Sequence, residues 1–196
     1  GFNGILADDM GLGKTLQVIA LLDQLQTDKP SLVVCPSSLI YNWEDEVHKF
    51  SKSLPVTCIV SDAKTRETMI HAIHGKHLYV TSYDYMRRDV ELYDSIEFEY
   101  VILDESQYIK NQKTKNAISV KQLHALHKLA LSGTPIENSL AELWTVFDFL
   151  MPQYLYNYHY FQKTFETDIV KNQNQKKIQQ LQKMVSPFIL RRNKKD

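Results

Sequence analysis

The chain has 196 residues, enough for one sizeable core and, at roughly 100 to 200 residues per domain, for one compact unit with a small appendage. Lysine plus arginine number 23 and aspartate plus glutamate 23, so net charge gives no global pull toward a polyanion, and any contact with nucleic acid has to be local. The two cysteines, Cys35 and Cys58, lack the paired spacing of a zinc site and give no sign of a disulfide framework, which points to a reducing compartment. No apolar run approaches the roughly 20 residues that span a bilayer, and no secretory leader is visible, so neither secretion nor membrane insertion is expected.

Short apolar runs alternate with segments of helical period up to about Leu150. That is the pattern of an α/β fold, a mostly parallel sheet with helices on both faces. The expected strands are 4–7, 32–35, 56–60, 78–81, 100–103 and 129–131, mostly apolar rather than alternating, as strands buried on both faces should be. Leu16, Ile19, Leu22 and Leu25 recur at helical spacing, as do Leu39, Trp43, Val47 and Phe50, and each set is expected to pack as one helical face. Ser139 with Glu142 reads as a capping box that opens a helix buried through Leu140, Leu143, Trp144, Phe147 and Leu150.

Past Pro152 the composition shifts, first to tyrosines at 154, 156, 158 and 160, then to a Gln/Lys-rich stretch at 171–183. The expected division is a lobe over 1–151 and a helical extension over 152–196. No basic residues interleave with the four tyrosines, so a covering role is favoured over a base-stacking platform. The Gln/Lys stretch reads as a solvated helix with Ile178, Leu181 and Met184 or Val185 as its buried stripe. Both ends look cut, and a larger parent is expected.

Asp8-Asp9-Met10-Gly11-Leu12-Gly13-Lys14-Thr15 follows an expected strand and opens an expected helix. In that context backbone N–H groups and a helix N-terminus converge on phosphates. Gly11 and Gly13 let the backbone turn and approach the anion, Lys14 reaches the outer phosphates, and the Thr15 hydroxyl ligates magnesium. Asp9, Met10, Gly11, Leu12, Gly13, Lys14, Thr15 and Leu16 are therefore the candidate nucleotide contacts. Asp8 stands where the phosphate-loop pattern usually has its first glycine, a departure that motor ATPases of the helicase type tolerate.

Ninety residues beyond Lys14, Tyr100-Val101-Ile102-Leu103 delivers Asp104-Glu105 to the C-terminal end of an expected strand, where ligands sit in open α/β sheets. Asp104 is assigned to the magnesium and Glu105 to orienting and deprotonating the attacking water. The substrate and cofactor implied are ATP and Mg2+. Asn193-Lys194-Lys195-Asp196 fits a guanine-selecting tetrapeptide, but Asp104-Glu105-Ser106-Gln107 lacks the γ-phosphate-sensing glycine of a GTPase, and the match is assigned to chance.

The series continues with Pro36-Ser37-Ser38-Leu39, Asn42-Trp43, Glu46, Thr81-Ser82-Tyr83, Ser132-Gly133-Thr134-Pro135-Ile136-Glu137-Asn138 and Leu190-Arg191-Arg192-Asn193-Lys194. In this order the motifs resemble the first RecA-like motor lobe of the Swi/Snf-type family, DNA-dependent ATPases of helicase superfamily two, over nearly the whole chain. The resemblance implies a second lobe on the same parent, ATP between the lobes, and double-stranded DNA across both. It implies translocation that remodels proteins bound to DNA, without strand separation. It also implies strand contacts by Ser37, Ser38 and Ser82, coupling through Gln107, Ser132, Gly133 and Thr134, and an intracellular place of action, the nucleoid in a bacterium or the nucleus in a eukaryote.

Two positions depart from the family pattern. Gln107 replaces the usual histidine and cannot become cationic, and Asp9 replaces glutamate. Gln107 leans the source toward a bacterium. The rivals are a nucleotide-gated binding module without productive hydrolysis and a lobe of a strand-separating helicase.

Overall fold

All six apolar runs become strands of a single sheet in the computed structural model, which describes residues 3–8, 13–133 and 139–191. They are β1 (Gly4–Leu6), β2 (Ser31–Cys35), β3 (Val56–Cys58), β4 (Leu78–Ser82), β5 (Glu97–Leu103) and β6 (His124–Leu131), joined by β7 (Ile189–Leu190). The spatial order is β3-β4-β2-β5-β6-β1-β7, and every pairing among the described residues is parallel. The C-terminal ends of the strands therefore share one edge, where Leu6 stands level with Leu131, and Leu103 with both Ala130 and Val34.

Successive residues of the central strands serve opposite faces. Val33, Cys35, Tyr100, Ile102, Leu129 and Leu131 pack under α1 (Lys14–Gln24) and α2 (Ile40–Phe50), whose Val18, Ile19, Leu22, Trp43 and Val47 close that layer. Leu32, Val34, Val101, Leu103 and Ala130 face the other way. They are covered by α3 (Ala63–His71), α4 (Tyr83–Asp89), α5 (Lys115–Lys121) and α6 (Leu140–Leu150). This period of two within an unbroken apolar run is what a sheet buried on both sides requires.

The chain past Pro152 adds to the second layer. α7 (Tyr158–Phe161), a π-helical segment (Gln162–Lys171) and α8 (Gln175–Val185) bury Phe161, Phe165, Leu181 and Val185 in the same cluster as Phe147. The four tyrosines divide by alternation. Tyr154 donates its hydroxyl to the Met184 carbonyl at 2.7 Å and Tyr158 meets the Trp144 ring edge-on, whereas Tyr156 and Tyr160 are exposed and pack against each other.

Four details differ from the sequence reading. β5 and β6 begin three and five residues earlier than expected, because Glu97, Glu99, His124 and His127 interrupt the apolar signal where the strands emerge toward solvent. β3 ends at Cys58, before Ser61 turns with φ 95°. β7 is only two residues long, too short to carry a periodic signal. Leu16 and Phe50, expected to pack, are 42% and 43% exposed, and Val18 and Ile40 take the buried positions.

Candidate nucleotide-binding site

β1 ends at Leu6, two residues before Asp8, and α1 starts at Lys14. Asp8 is fully buried, and Gln17 Nε2 donates to its Oδ2 at 3.2 Å, a tie between loop and helix that the usual glycine lacks the side chain to make. Lys14 Nζ donates to the Asp8 carbonyl at 3.0 Å, which ties the ammonium back to the chain just past β1. Gly13 is the residue before the helix and has φ 77°, in the left-handed region where a side chain is strained. It supplies no capping oxygen, and no acidic residue lies in the first turn of α1, so the helix's own first turn offers its N–H groups neither a capping side chain nor a carboxylate.

β5 delivers Asp104 and Glu105 to the same edge. The two strand ends are separated only by β6. Gly13, Lys14, Thr15 and Leu16 line one cleft of about 580 Å3 with Asp104 and Glu105, and Leu39, Asn42, Trp43, Glu46 and Phe50 form its far wall. Asp104 is buried and held from three sides. Trp43 Nε1 donates to Oδ2 at 2.8 Å, the Glu105 backbone N–H donates to Oδ1 at 2.9 Å, and the Tyr83 hydroxyl donates to the Asp104 carbonyl at 2.7 Å. Burial lifts the Asp104 carboxyl above the usual aspartate range, and the Trp43 indole bond pulls against that by favouring the anion. Burial also drives the Tyr83 phenol well above its ordinary range, so it remains a neutral donor.

Glu105 has φ 51°, an uncommon backbone for a residue with a side chain. Gln107 Nε2 donates to Glu105 Oε2 at 2.5 Å, while Gln107 Oε1 is buried without a hydrogen-bond partner. Among the described residues no group of three or more His, Cys, Asp and Glu side chains is placed to hold a metal. The Thr15 hydroxyl and the Asp104 carboxylate suit magnesium instead, which keeps most of its shell as water and phosphate oxygens. Both Asp104 oxygens already accept a protein hydrogen bond, which favours a grip through water.

The remaining candidates separate. Ser37 and Ser82 line a second depression of about 690 Å3 with Tyr41, Ser61, Tyr85 and Arg88. Ser82 is buried and its hydroxyl accepts from the Tyr85 N–H, capping α4; Ser38 is exposed and lies outside that lining. Ser132 and Gly133 follow β6, with the Ser132 N–H donating to the Leu6 carbonyl at 3.0 Å, so Ser132 sits beside the end of β1, and neither residue lines the cleft. Asp9, Met10, Gly11, Leu12 and Thr134 lie outside the described residues. Trp43 and Tyr83 were missed as members of the site. The available signal for Trp43 was its N–H, which needs a partner once a helical stripe buries the ring.

A parallel α/β sheet with a glycine-lysine-threonine helix start and an acidic pair at one edge defines the class, a phosphate-loop lobe of RecA type. The family model for the SNF2-related domain matches residues 1–196. The chain is 41% identical over 98% of its length to the uncharacterized ATP-dependent helicase MG018 of Mycoplasma genitalium, and 38% identical over 99% to the TATA-binding protein-associated factor MOT1 of Saccharomyces cerevisiae. It spans 19% and 12% of those proteins. The Sulfolobus solfataricus SWI2/SNF2 ATPase core in complex with double-stranded DNA superimposes with a TM-score of 0.89 at 40% identity, over all of this chain and 41% of that one. The chain belongs to the SNF2 family.

Proposed function

We propose that the chain is the ATP-binding first lobe of a DNA-dependent ATPase that translocates on double-stranded DNA and remodels protein–DNA complexes. The observation that carries this reading is the single cleft shared by Gly13-Lys14-Thr15 and Asp104-Glu105. Residues 1–151 form the ATP-binding lobe, and 152–196 lead on toward a second RecA-like lobe of the same parent. The relative bound to double-stranded DNA supports the substrate, and the likeness to a TATA-binding protein-associated factor supports a protein–DNA target. The place of action is intracellular, where the DNA is.

The loop from Asp9 to Leu16 cradles the triphosphate, and the N–H groups at the start of α1 and the Lys14 ammonium meet its charge. Thr15 and Asp104 would hold the magnesium, which would supply positive charge to offset that of the triphosphate. Glu105 keeps one carboxylate oxygen free of Gln107 to orient the attacking water and accept its proton. The new bond forms between water oxygen and γ-phosphorus as the bond to the bridging oxygen breaks, leaving ADP and phosphate. Ser37, Ser38 and Ser82 contact strand phosphates without reading bases, as sequence-independent movement demands. Gln107, Ser132, Gly133 and Thr134 couple nucleotide state to lobe movement.

The test is ATP turnover by the two-lobed parent with and without duplex DNA. DNA should stimulate turnover, and Lys14→Ala and Glu105→Gln should each abolish the stimulated rate; full stimulated turnover in both variants would sink the reading. The lobe alone should turn over very slowly, since arginine fingers from a partner lobe supply roughly 10³ to 10⁵ in related phosphoryl transfers.

A further inference from the structure

One continuous segment, the 3-10 turn Ser37–Leu39 and the α2 helix that follows it, walls two hollows. Ser37, Ile40 and Tyr41 face the depression that Ser82 also lines, while Asn42, Trp43 and Glu46 face the phosphate cleft. Trp43, on the cleft side of α2, donates to the Asp104 carboxylate at 2.8 Å. The arrangement recurs at α4. Ser82 lines the depression, and the next residue, Tyr83, donates to the Asp104 carbonyl at 2.7 Å.

Trp43 and Tyr83 are both 2% exposed, so neither donor has bulk water as an alternative partner. Each segment that borders the depression thus reaches Asp104 within six residues, one through its side chain and one through its main chain. Tyr83 also stacks on Tyr108, with ring centroids 5.2 Å apart and planes 7° apart. Tyr108 lies in the turn Ser106–Ile109 that carries Gln107, the partner of Glu105.

The geometry points to Trp43 and Tyr83 as positioning residues that convey the arrival of a DNA strand in the depression to the Asp104-Glu105 pair. A phosphate gripped at Ser37 displaces the turn Ser37–Leu39 that runs directly into α2, and a helix packed at interior density moves as a rod because few voids are there to absorb the shift. Its motion at Trp43 re-aims the Asp104 carboxylate relative to Thr15. The same event at Ser82 acts through Tyr83 on the main chain from which Glu105 projects. The inference rests on the DNA-stimulated ATPase reading and adds the route by which stimulation travels.

The experiment uses the two-lobed parent and two variants. Trp43→Phe keeps most of the ring bulk and removes the N–H; Tyr83→Phe removes only a hydroxyl. The measured quantities are the ratio of DNA-stimulated to unstimulated kcat, the KM for ATP, and the gain in duplex-DNA affinity on adding a non-hydrolysable ATP analogue. Both variants should lose at least about fivefold in the stimulation ratio, with the loss in kcat rather than KM. The analogue's effect on DNA affinity should shrink as well, because equilibrium coupling between two sites is reciprocal. A purely structural role would lower the melting temperature and leave both ratios at the parent values, and that result overturns the inference. If Trp43→Phe fails to fold, Tyr83→Phe decides alone. An unvaried parent that DNA does not stimulate overturns the functional reading and this inference together, and the defect is then already visible before any substitution.

Discussion

Two regions at the same sheet edge treat their polar groups in opposite ways. In the cleft shared by Gly13-Lys14-Thr15 and Asp104-Glu105, α1 starts just after Gly13 with no capping side chain and no acidic residue in its first turn. At the corner between α3 and α4, the Asp62 carboxylate accepts from the Thr65 N–H to start α3, and the Ser82 hydroxyl accepts from the Tyr85 N–H to start α4. Arg66 is buried there in a two-bond pair with Asp89, at 2.7 and 3.1 Å, donates to the Ser61 carbonyl at 2.6 Å, and lies over the Tyr85 ring. The corner closes its own hydrogen bonds and so contributes to stability. The cleft leaves its strongest positive feature, a helix N-terminus beside Lys14, for a ligand to complete.

The largest effect expected from disturbing this contrast is at the corner. Arg66→Ala leaves Asp89 buried without its counter-charge, and the fold should lose about 3 to 5 kcal/mol. ATP affinity of the protein that remains folded should change by less than about twofold, since Arg66 shares no partner with the cleft. Chemical denaturation combined with a fluorescent-nucleotide titration checks both, and a large loss of affinity in folded protein would break the division between the regions. Gly13→Asp is the complementary test, because it gives α1 the acidic start that α3 has. ATP affinity should fall on the order of a hundredfold, as a fixed carboxylate competes with the phosphates and repels them. Stability should move little, the cap offsetting the strain of an aspartate at φ 77°. A loss of fold stability matching the loss of affinity would show that Gly13 serves the fold first.

How much of this contrast was legible in the sequence depends on how local each feature is. The Gly13-Lys14-Thr15 start of α1, the acidic pair at the end of β5 and the Ser139 start of α6 were legible because the residues that define each are within a few positions of one another, and the sheet was legible because buried parallel strands are mostly apolar. The contacts that shape the site are not local. Trp43 and Asp104 lie 61 positions apart, and Tyr83 and Asp104 lie 21 apart. At Trp43 the helical spacing signalled packing, which is correct for the ring and silent about the N–H. Arg66 looks like any surface cation in its stretch, and only the fold brings Asp89 to it. Leu16 and Phe50 match the apolar period as well as Ile19 and Val47 do, yet they line the open cleft, because period alone does not say where a helical face runs past the end of its sheet.

A smaller effect is expected from the cap of α3. The Thr65 backbone N–H holds the Asp62 carboxyl below its ordinary value of 3.8, and the Thr65 hydroxyl adds to this. A carboxyl whose value is depressed on folding stabilises the fold above the unfolded value and loses that contribution as pH falls through the folded one. The contribution should therefore be present at neutral pH and disappear below about pH 4. Asp62→Asn keeps a capping oxygen and should flatten this part of the acid stability profile, whereas nucleotide affinity at neutral pH should stay at the parent value. A profile unchanged by the substitution would assign the acid sensitivity to other carboxylates.

The smallest change should come from Ser61→Gly, and its sign is what matters. Ser61 has φ 95°, where a side chain crowds its own backbone, and its hydroxyl makes only a 3.5 Å contact with Asp62. Glycine removes the crowding and keeps the carbonyl that Arg66 uses. The gain should be about 1 kcal/mol, or roughly 2 to 4 °C in Tm for a chain of this size. Because Ser61 also lines the depression beside Ser37 and Ser82, duplex-DNA affinity should be measured with it. Higher Tm with unchanged DNA affinity would mark the strain as a tolerated cost of a corner already closed by Arg66 and Asp89. Higher Tm with weaker DNA binding would mean that Ser61 is held in that shape for the strand, and the corner would then have to be counted with the cleft among the regions kept for a ligand.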